Sequence, residues 1–194
     1  TLGEMAIGAL YLWQTPERQV LRSTVAPPEK SLVRSFTLSP DGRQVVLAAE
    51  QGGKGKLWVR ALDSLTWLEL AGTDGAMYPF WSPDNRTIGF FASGKMKKIA
   101  IGGGPAITLC DASEGRGASW SRKGDIVFAP TNSGGLQRVS ASGGVPVVLT
   151  QPKNPALHRF PVFLPDGNRF LFLSSSNGPP QENGIYVGSL DGAK

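Results

Sequence analysis

The sequence predicts an all-β protein, a β-propeller segment of about four four-stranded blades, and two observations carry that prediction. The first is a turn sequence whose copies begin at positions 39, 82, 121 and 164, at intervals of 43, 39 and 43 residues. A nearly constant spacing of this size is typical of repeat proteins. The second is the set of 25 glycines and 15 prolines, which separate many short apolar runs. A β-sandwich also has short strands, but it would not repeat the same turn sequence at the same place in each group of strands.

The repeated turn follows from local backbone chemistry. Its copies, with the preceding residues, are FWSPDN at 80–85, LSPDG at 38–42, WSRKG at 120–124 and FLPDG at 163–167. Proline presets φ at the second position, aspartate bonds the backbone that follows, and glycine or asparagine accepts the left-handed conformation at the end. Calcium binding by the aspartates is a weaker alternative, because calcium takes six to eight oxygens and each turn offers one carboxylate. We therefore predict structural roles, in turns or in packing between blades, for Pro40, Asp41, Trp81, Pro83, Asp84, Trp120, Phe163, Pro165 and Asp166.

The repeat divides most of the chain into four blades, at about 31–71, 72–111, 112–151 and 152–194. Each of the first three contains four β-favouring segments, whereas the fourth ends after its third segment. Propellers close with four to eight blades, so we expect the last blade to be incomplete and the ring to be partial. A partial ring leaves unpaired strand edges, and we expect this chain on its own to be marginally stable or oligomeric.

An uncharged apolar run at 5–13 precedes the repeats. Nine residues are too few to cross a bilayer, which takes about 20. Tyr11 and Trp13, however, stand where a membrane helix carries its interfacial aromatic residues. Because the chain also starts with threonine rather than methionine, we expect residues 1–13 to be the end of a transmembrane helix in a longer protein. A short buried helix or a signal-peptide remnant is the alternative.

Residues 14–30 are more polar and end near two prolines, which indicates a linker. Within it, residues 19–25 favour a β-strand. In ring-shaped repeat proteins, a strand before the first repeat often completes the last one, and we expect the same of this strand.

Charge and motif content narrow the possible functions. The net charge is +5 and the pI about 9.6, but the basic residues are scattered. The one tight cluster, Lys95, Lys97 and Lys98, lies on a predicted strand, where lysines commonly protect an edge, so we expect no nucleic-acid binding. Cys110 is the single cysteine and allows no internal disulfide. We find no metal-ligand spacing, no cofactor motif and no catalytic constellation, and we expect no enzymatic activity, metal or cofactor.

Arginine recurs at one position of the repeat, five residues before the first residue of each turn. The residues at this position are Arg34, Met77, Arg116 and Arg159. Because strand side chains alternate, we expect this position at the mouth of the central channel, on the face that also carries Leu38, Trp81, Trp120 and Phe163. Guanidinium groups around one mouth favour a carboxylate or phosphate ligand, with Tyr78 and His158 as further contacts. In the alternative, the arginines pair with acids such as Glu114 or face water.

The repeated residues resemble a known repeat, the TolB-type, WD-repeat-like β-propeller repeat. The matching segments are 39–43, 81–84 and 163–167 around the turns, with 57–60 and 185–187 in the third strands. The likeness covers about residues 31–194 and implies the fold. It leaves the function open, because this repeat occurs in periplasmic binding proteins, in peptidase propeller caps and in receptor-like kinases.

One subset resembles the sequence most, the propellers that follow the membrane helix of bacterial receptor-type serine/threonine protein kinases. Residues 57–64, 78–84 and 184–190 carry that likeness, together with the apolar run and the linker. It implies a non-catalytic binding or sensing module, anchored in the membrane on the periplasmic side, that binds a protein or a small anionic ligand on the propeller face. The kinase motifs themselves are absent from the sequence. Two alternatives stay open: the propeller cap of a prolyl-oligopeptidase-like hydrolase, and a TolB-like periplasmic scaffold that binds proteins.

Overall fold

The chain folds into short β-strands joined by turns, and the computed structural model describes residues 24–152, 156–176 and 183–191. These residues contain fifteen strands and no helix. In chain order the strands are β1 Ser31–Leu38, β2 Gln44–Gln51, β3 Lys54–Ala61, β4 Leu68–Leu70, β5 Met77–Trp81, β6 Thr87–Ala92, β7 Lys95–Ala100, β8 Ile107–Asp111, β9 Ala118–Trp120, β10 Asp125–Phe128, β11 Gln137–Ser140, β12 Val147–Val148, β13 Leu157–Phe163, β14 Arg169–Ser175 and β15 Gly184–Ser189.

The strands form four antiparallel sheets in which consecutive strands pair. The first three sheets are β1–β4, β5–β8 and β9–β12, and the fourth contains β13–β15 among the described residues. We call them blades 1 to 4. The first strand of each blade contacts the first strand of the next, so β1, β5, β9 and β13 line the inside of the arc. This arrangement confirms the all-β fold of four blades that the repeat predicts.

The predictions for the N-terminal segment fall mainly outside the described residues. These are the transmembrane end at 1–13 and all but the last residues of the linker and its strand. In the described part of the chain, no helix is long and apolar enough to cross a membrane. The described end of the linker lies on blade 1, where Val25 packs against the sheet and the indole N–H of Trp67 donates to the carbonyl oxygen of Ala26 over 2.9 Å.

The repeated turns adopt the conformation that their residues predict. Their last residues have left-handed φ angles, 70° at Gly42, 61° at Asn85, 87° at Gly124 and 65° at Gly167. In each turn the amide of this residue donates to the carbonyl oxygen of the turn's first residue, over 2.8 to 3.1 Å. The third copy, which keeps only the serine and the glycine, therefore forms the same turn.

A buried serine organises three of the four turns. Ser39, Ser82 and Ser121 are 2–4% exposed. In blade 2, Ser82 Oγ accepts the Thr87 amide over 2.9 Å and donates to Asp84 Oδ1 over 2.5 Å. The hydrogen bond from Ser82 is the largest cause that lowers the pKa of Asp84 below its ordinary value. Serine and aspartate thus support each other inside the turn.

Blade 4 has leucine in place of this serine, and Asp166 makes the turn contacts alone. Its Oδ1 accepts the amides of Arg169 and Asn168, each over 2.8 Å. Arg169 Nε also donates to Asp166 Oδ2 over 2.6 Å. These bonds, led by the Arg169 amide, lower the pKa of Asp166 to about 2.

We expect Asp166→Asn to lower the thermal unfolding midpoint near neutral pH but not at the acid limit. The pKa of Asp166 falls from 3.8 to about 2 on folding. The carboxylate therefore stabilises the fold above its unfolded pKa, and this contribution is lost as the pH falls from about 4 to about 2. Circular dichroism melts across this range measure the effect. Asp63→Asn, at an exposed turn residue without a hydrogen bond to another described residue, is the control. Equal shifts of the Asp166→Asn midpoint at both pH limits would contradict the role of the charge.

Apolar clusters hold neighbouring blades together. The cluster between blades 1 and 2 contains Trp81, which is 6% exposed. The clusters between blades 2 and 3 and between blades 3 and 4 are built around Phe128 and Phe170, and half-buried Trp120 and Phe163 pack against them. The equivalent aromatic residues of the repeat therefore lie at successive blade interfaces.

A β-bulge near the start of the inner strands changes which residues share a face. In β13, Arg159 pairs with Leu173 whereas Phe163 pairs with Phe170. Paired residues lie on the same face, and two β14 residues that are three apart lie on opposite faces. Arg159 and Phe163 are therefore on opposite faces, and β5 has the same bulge. The predicted common face of the arginine and aromatic positions is wrong in these strands, because the extra residue of a bulge inverts the alternation.

Candidate functional site

The inner strands are tied to one another across the blades by three hydrogen bonds. The amide of Tyr78 donates to Ser35 Oγ over 3.0 Å, which links blade 2 to blade 1. The amide of Phe160 donates to the carbonyl oxygen of Arg116 over 3.1 Å. The amide of Phe163 donates to Ser119 Oγ over 3.0 Å. Two of the three donors, Tyr78 and Phe160, lie at the bulges.

Tyr78 and Phe160 have a backbone conformation that bulky residues rarely adopt. Their φ angles are +48° and +51°, and each precedes a buried proline. Left-handed conformations at non-glycine residues cost about 1–3 kcal/mol each. Their amide bonds to the preceding blade offset part of this cost. Blade 3 has Gly117 at the same repeat position, with φ +90°.

These conformations bring two aromatic rings and an arginine together. The ring centroids of Tyr78 and Phe160 are 5.9 Å apart. The guanidinium carbon of Arg116 lies 5.8 Å from the centroid of the Tyr78 ring, within reach of a cation–π interaction. A Cβ atom on Gly117 would lie 2.9 Å from Cδ1 of Phe160, so glycine leaves room for the ring. We call Tyr78, Arg116, Arg159 and Phe160 the aromatic–arginine cluster.

The three arginines predicted as a rim have different partners. Arg34 forms an ion pair with Glu50, with 2.7 Å between Nη2 and Oε2. Arg116 donates from Nη1 to the carbonyl oxygens of Glu114 and Gly115, over 3.5 and 3.2 Å. The structure therefore pairs Arg34 within its own blade, while Arg116 meets Tyr78 in the cluster.

Arg159 directly precedes Phe160 in β13, and its side chain contacts blade 3. Its Nη2 donates to the backbone and side-chain oxygens of Asn132, over 2.9 and 2.8 Å. Its Nε is buried and has no hydrogen-bond partner among the described residues. No carboxylate in the described ranges lies within 4.0 Å of the guanidinium group of Arg116 or Arg159. Both positive charges are thus available to an anionic group.

His158 and Cys110 occupy structural positions. His158 Nδ1 and Thr150 Oγ1 are 2.8 Å apart, and the imidazole packs 4.6 Å from the ring of Phe172. Burial lowers the pKa of His158, which favours a neutral imidazole. Cys110 is buried between blades 2 and 3, and burial raises its pKa to about 11.

A cleft of about 300 Å³ adjoins the cluster between blades 2 and 3. Tyr78, Glu114 and Arg116 contribute polar groups to its lining, and Met77 and Phe91 contribute apolar ones. A second cavity, of about 520 Å³, is lined by residues from all four blades and includes their repeated turns.

The sequence reasoning missed Phe160 as a candidate. The sequence does contain a pattern that points to Phe160, because Tyr78-Pro79 and Phe160-Pro161 are both aromatic–proline pairs at the same position of the repeat. Of the predicted candidates, Arg116 and Tyr78 contact each other, whereas Arg159 contacts Asn132. In the described part of the chain, no group of three or more histidine, cysteine or acidic side chains is placed to hold a metal ion.

Comparison with known proteins identifies the fold. No protein-family model and no curated protein sequence matches the chain. Among solved structures, a TolB protein from Agrobacterium tumefaciens matches with a TM-score of 0.70 and 18% identity, over 82% of this chain and 62% of that one. TolB from Acinetobacter baumannii matches with a TM-score of 0.68 and 14% identity, over 83% and 42%. The fold is a β-propeller.

A third similar structure widens the range of propeller proteins without changing the fold. One of two prolyl endopeptidases matches with a TM-score of 0.58 and 15% identity, over 84% of this chain and 27% of that chain. The chain thus spans less than two thirds of the length of each of these three proteins. At such identities the likeness shows the propeller architecture alone.

Proposed function

We propose that this propeller segment is a protein-interaction module that binds an acidic peptide segment of its partner at the aromatic–arginine cluster. The observation that carries the proposal is the pair of arginines without carboxylate partners in the described ranges, Arg116 and Arg159. Arg116 lies over the ring of Tyr78, and Arg159 directly precedes Phe160, whose ring contacts Tyr78. Guanidinium groups bind carboxylates through charge-assisted hydrogen bonds. Exposed aromatic rings add apolar contact area, and Phe160 is 44% exposed.

The shape of the region also supports a peptide rather than a single small anion. The cleft continues from Arg116 between blades 2 and 3 and has both polar and apolar walls. An extended peptide places alternate side chains on one side, so one carboxylate and one apolar group can be bound together. A free anion would use only the arginines.

Calorimetric titration of the full 194-residue chain tests this proposal. We expect acetyl-Glu-Phe-Glu-amide to bind with a Kd on the order of 0.1–1 mM and acetyl-Gln-Phe-Gln-amide to bind much more weakly. Combining Arg116→Ala and Arg159→Ala is expected to weaken binding of the acidic peptide about tenfold or more, because hydrogen bonds to a charged group are lost.

Arg122→Ala is the matched control, since Arg122 is an exposed arginine in a repeated turn and lines the other cavity. Binding should be unchanged in this variant. Equal affinity for the two peptides, or equal affinity of the wild type and the double variant, would contradict the proposed site.

We further propose that the module is the extracytoplasmic sensor of a membrane-anchored bacterial serine/threonine kinase and is not itself catalytic. The resemblance in segments 57–64, 78–84 and 184–190 supports the kinase assignment. The packing contacts of half-buried His158 with Thr150 and Phe172 and the burial of Cys110 support a binding role for this chain. The test is the coding sequence upstream, where a kinase domain followed by a membrane helix is expected. A cleavable signal peptide with no kinase would favour a free TolB-like scaffold.

A propeller cap on a hydrolase is the second candidate, and the structural likeness to a prolyl endopeptidase favours it. In that case the propeller would gate access to a separate catalytic domain. An α/β-hydrolase domain encoded next to the propeller, in place of a kinase, would establish this candidate.

A further inference from the structure

Blade 4 presents an apolar face that the described residues leave open. Val162, Ile185 and Val187 are 57%, 74% and 62% exposed. Pairing of Leu171 with Val162 and Val187, and of Leu173 with Ile185, places all five side chains on one face. The opposite face of the same strands packs on blade 3. One side of blade 4 is therefore core and the other is an exposed apolar surface.

Blade 1 presents a second open apolar face at the other end of the arc. Phe36 and Leu38 in β1 are 70% and 52% exposed, whereas Leu47 and Val45, with which they pair on the same face, are 6% and 5% exposed. Val25, Trp58 and Trp67 pack against the cluster that contains Val45 and Leu47, so the open part of this face lies along β1. The face contains an apolar groove of about 290 Å³, bordered on one side by the linker at Val25. Its opposite face is buried against blade 2.

The repeat relates each open face to a face that is buried inside the chain. By strand pairing, the blade 4 residues Leu171, Leu173, Ile185 and Val187 occupy the positions of Val46, Ala48, Leu57 and Val59 in blade 1. These blade 1 residues are 0–5% exposed, because blade 2 covers them.

The open face of blade 1 has buried counterparts as well. Val45 and Leu47 occupy the repeat positions of Ile88 and Phe90, which are fully buried against blade 1. By repeat position, the open face of blade 4 therefore corresponds to the blade 1 side of the interface between blades 1 and 2. The face of blade 1 corresponds to the blade 2 side of that interface.

We propose that these two faces bind each other between copies of this chain, head to tail, blade 4 of one copy against blade 1 of the next. The contact continues the series of blade interfaces within the chain. The contact is heterologous, which means that it joins two different surfaces. A dimer with one such contact therefore still has one free blade 1 face and one free blade 4 face, unless a second contact closes the ring. The described residues of two copies form eight blades, a number within the range of closed propellers.

The size of the faces agrees with a concentration-dependent assembly. Three strands of about six residues span roughly 14 by 20 Å, from strand spacing and rise. Each face thus covers roughly 280 Å² and the two faces together about 560 Å², which is below the ~1,000 Å² of a specific interface, so a single contact is weak. A ring closed by two copies has two contacts and is correspondingly tighter.

Arg60 lies on the same face of blade 1 as Val45, with which it pairs. It is 8% exposed and its guanidinium carbon lies 5.2 Å from the centroid of the Trp67 ring. Its Nε and the nearby Trp58 Nε1 are buried without hydrogen-bond partners among the described residues. Both donors are enclosed within blade 1, so this part of the face is already covered inside the chain.

Light scattering of the 194-residue chain over a range of concentrations tests the proposal. We expect the mass to rise with concentration from that of the 20.6 kDa monomer to that of a dimer or a longer series. Val187→Glu on blade 4 and Phe36→Glu on blade 1 should each raise the dissociation constant about tenfold or more, because each buries a charge in an apolar contact. Both residues are exposed within one chain, so both variants should keep the wild-type circular dichroism spectrum.

Mixing the two variants gives the decisive result. Each retains one intact face, so Val187→Glu and Phe36→Glu are expected to form a one-to-one dimer together although neither assembles alone. A double variant with both changes should not complement either. Should a glutamate variant fail to fold, Val187→Ser and Phe36→Ser supply the same pairing test.

Three outcomes would overturn the proposal. One is a wild-type monomer at all concentrations, which would mean that the faces are covered within the chain or by another protein. Another is self-association of Val187→Glu as strong as that of the wild type, which would indicate contact between two blade 1 faces. The third is failure of the two variants to complement. None of these results depends on peptide binding at the aromatic–arginine cluster, so the two proposals fail separately.

Discussion

Phe90→Ala is expected to lower the free energy of unfolding by about 3–5 kcal/mol. Phe90 is fully buried in the cluster between blades 1 and 2, with Val46, Leu57 and Trp81. Substitution by alanine deletes a buried ring and leaves a cavity. The β-strands on both sides are too rigid to close it. The loss should therefore exceed that of any surface substitution in this chain.

Urea unfolding followed by circular dichroism measures this loss, at one protein concentration because association would add to apparent stability. Leu65→Ala is the control, since Leu65 is 91% exposed, and its effect should stay within about 0.5 kcal/mol. A loss below about 1 kcal/mol for Phe90→Ala would contradict a tight contact between blades 1 and 2.

Gly135→Ala is expected to lower the free energy of unfolding by about 2–4 kcal/mol through a backbone collision. A Cβ atom at this position would lie 1.8 Å from the carbonyl oxygen of Thr150. That oxygen cannot rotate away as a side chain can, so the β11–β12 hairpin must open. The opening strains the 2.8 Å bond from the Leu136 amide to Thr150 Oγ1, which in turn meets His158 of blade 4.

Thermal and urea unfolding compare this variant with Gly102→Ala. A Cβ on Gly102 would meet no atom within 4 Å, and its φ is not left-handed, so we expect little change or a slight gain there. Similar stabilities for the two variants would show that the hairpin adapts to a methyl group at residue 135.

The candidate site was only partly predictable, and the reason is visible in β5 and β13. The repeat singled out Arg116 and Arg159, because arginine recurs at their position, and Tyr78 beside that position. It did not include Phe160, and it placed the arginines and the blade-packing aromatic residues on one face. The bulges in these strands invert that face. A bulge depends on how the neighbouring strand pairs, and no single residue in the strand predicts it.

The sequence alone also could not predict the partners of the arginines. Arg34 is within 2.7 Å of Glu50 because β1 and β2 pair in a register that brings residues 16 apart together. Arg116 contacts Tyr78 of another blade. Both contacts depend on distances between segments that are far apart in sequence. The identity of the residue as arginine does not indicate which partner it has.

By itself, the sequence determined the repeat, the four blades and the conformation of the turns. It could do so because the φ preferences of proline, glycine and asparagine act within four residues, and Gly42, Asn85, Gly124 and Gly167 show the expected left-handed angles. Only the tertiary structure decided which side chains meet at the aromatic–arginine cluster and which blade faces stay open. Those features arise from strand register, bulges and the packing of one blade on the next, which join residues about 40 positions apart and leave no local pattern.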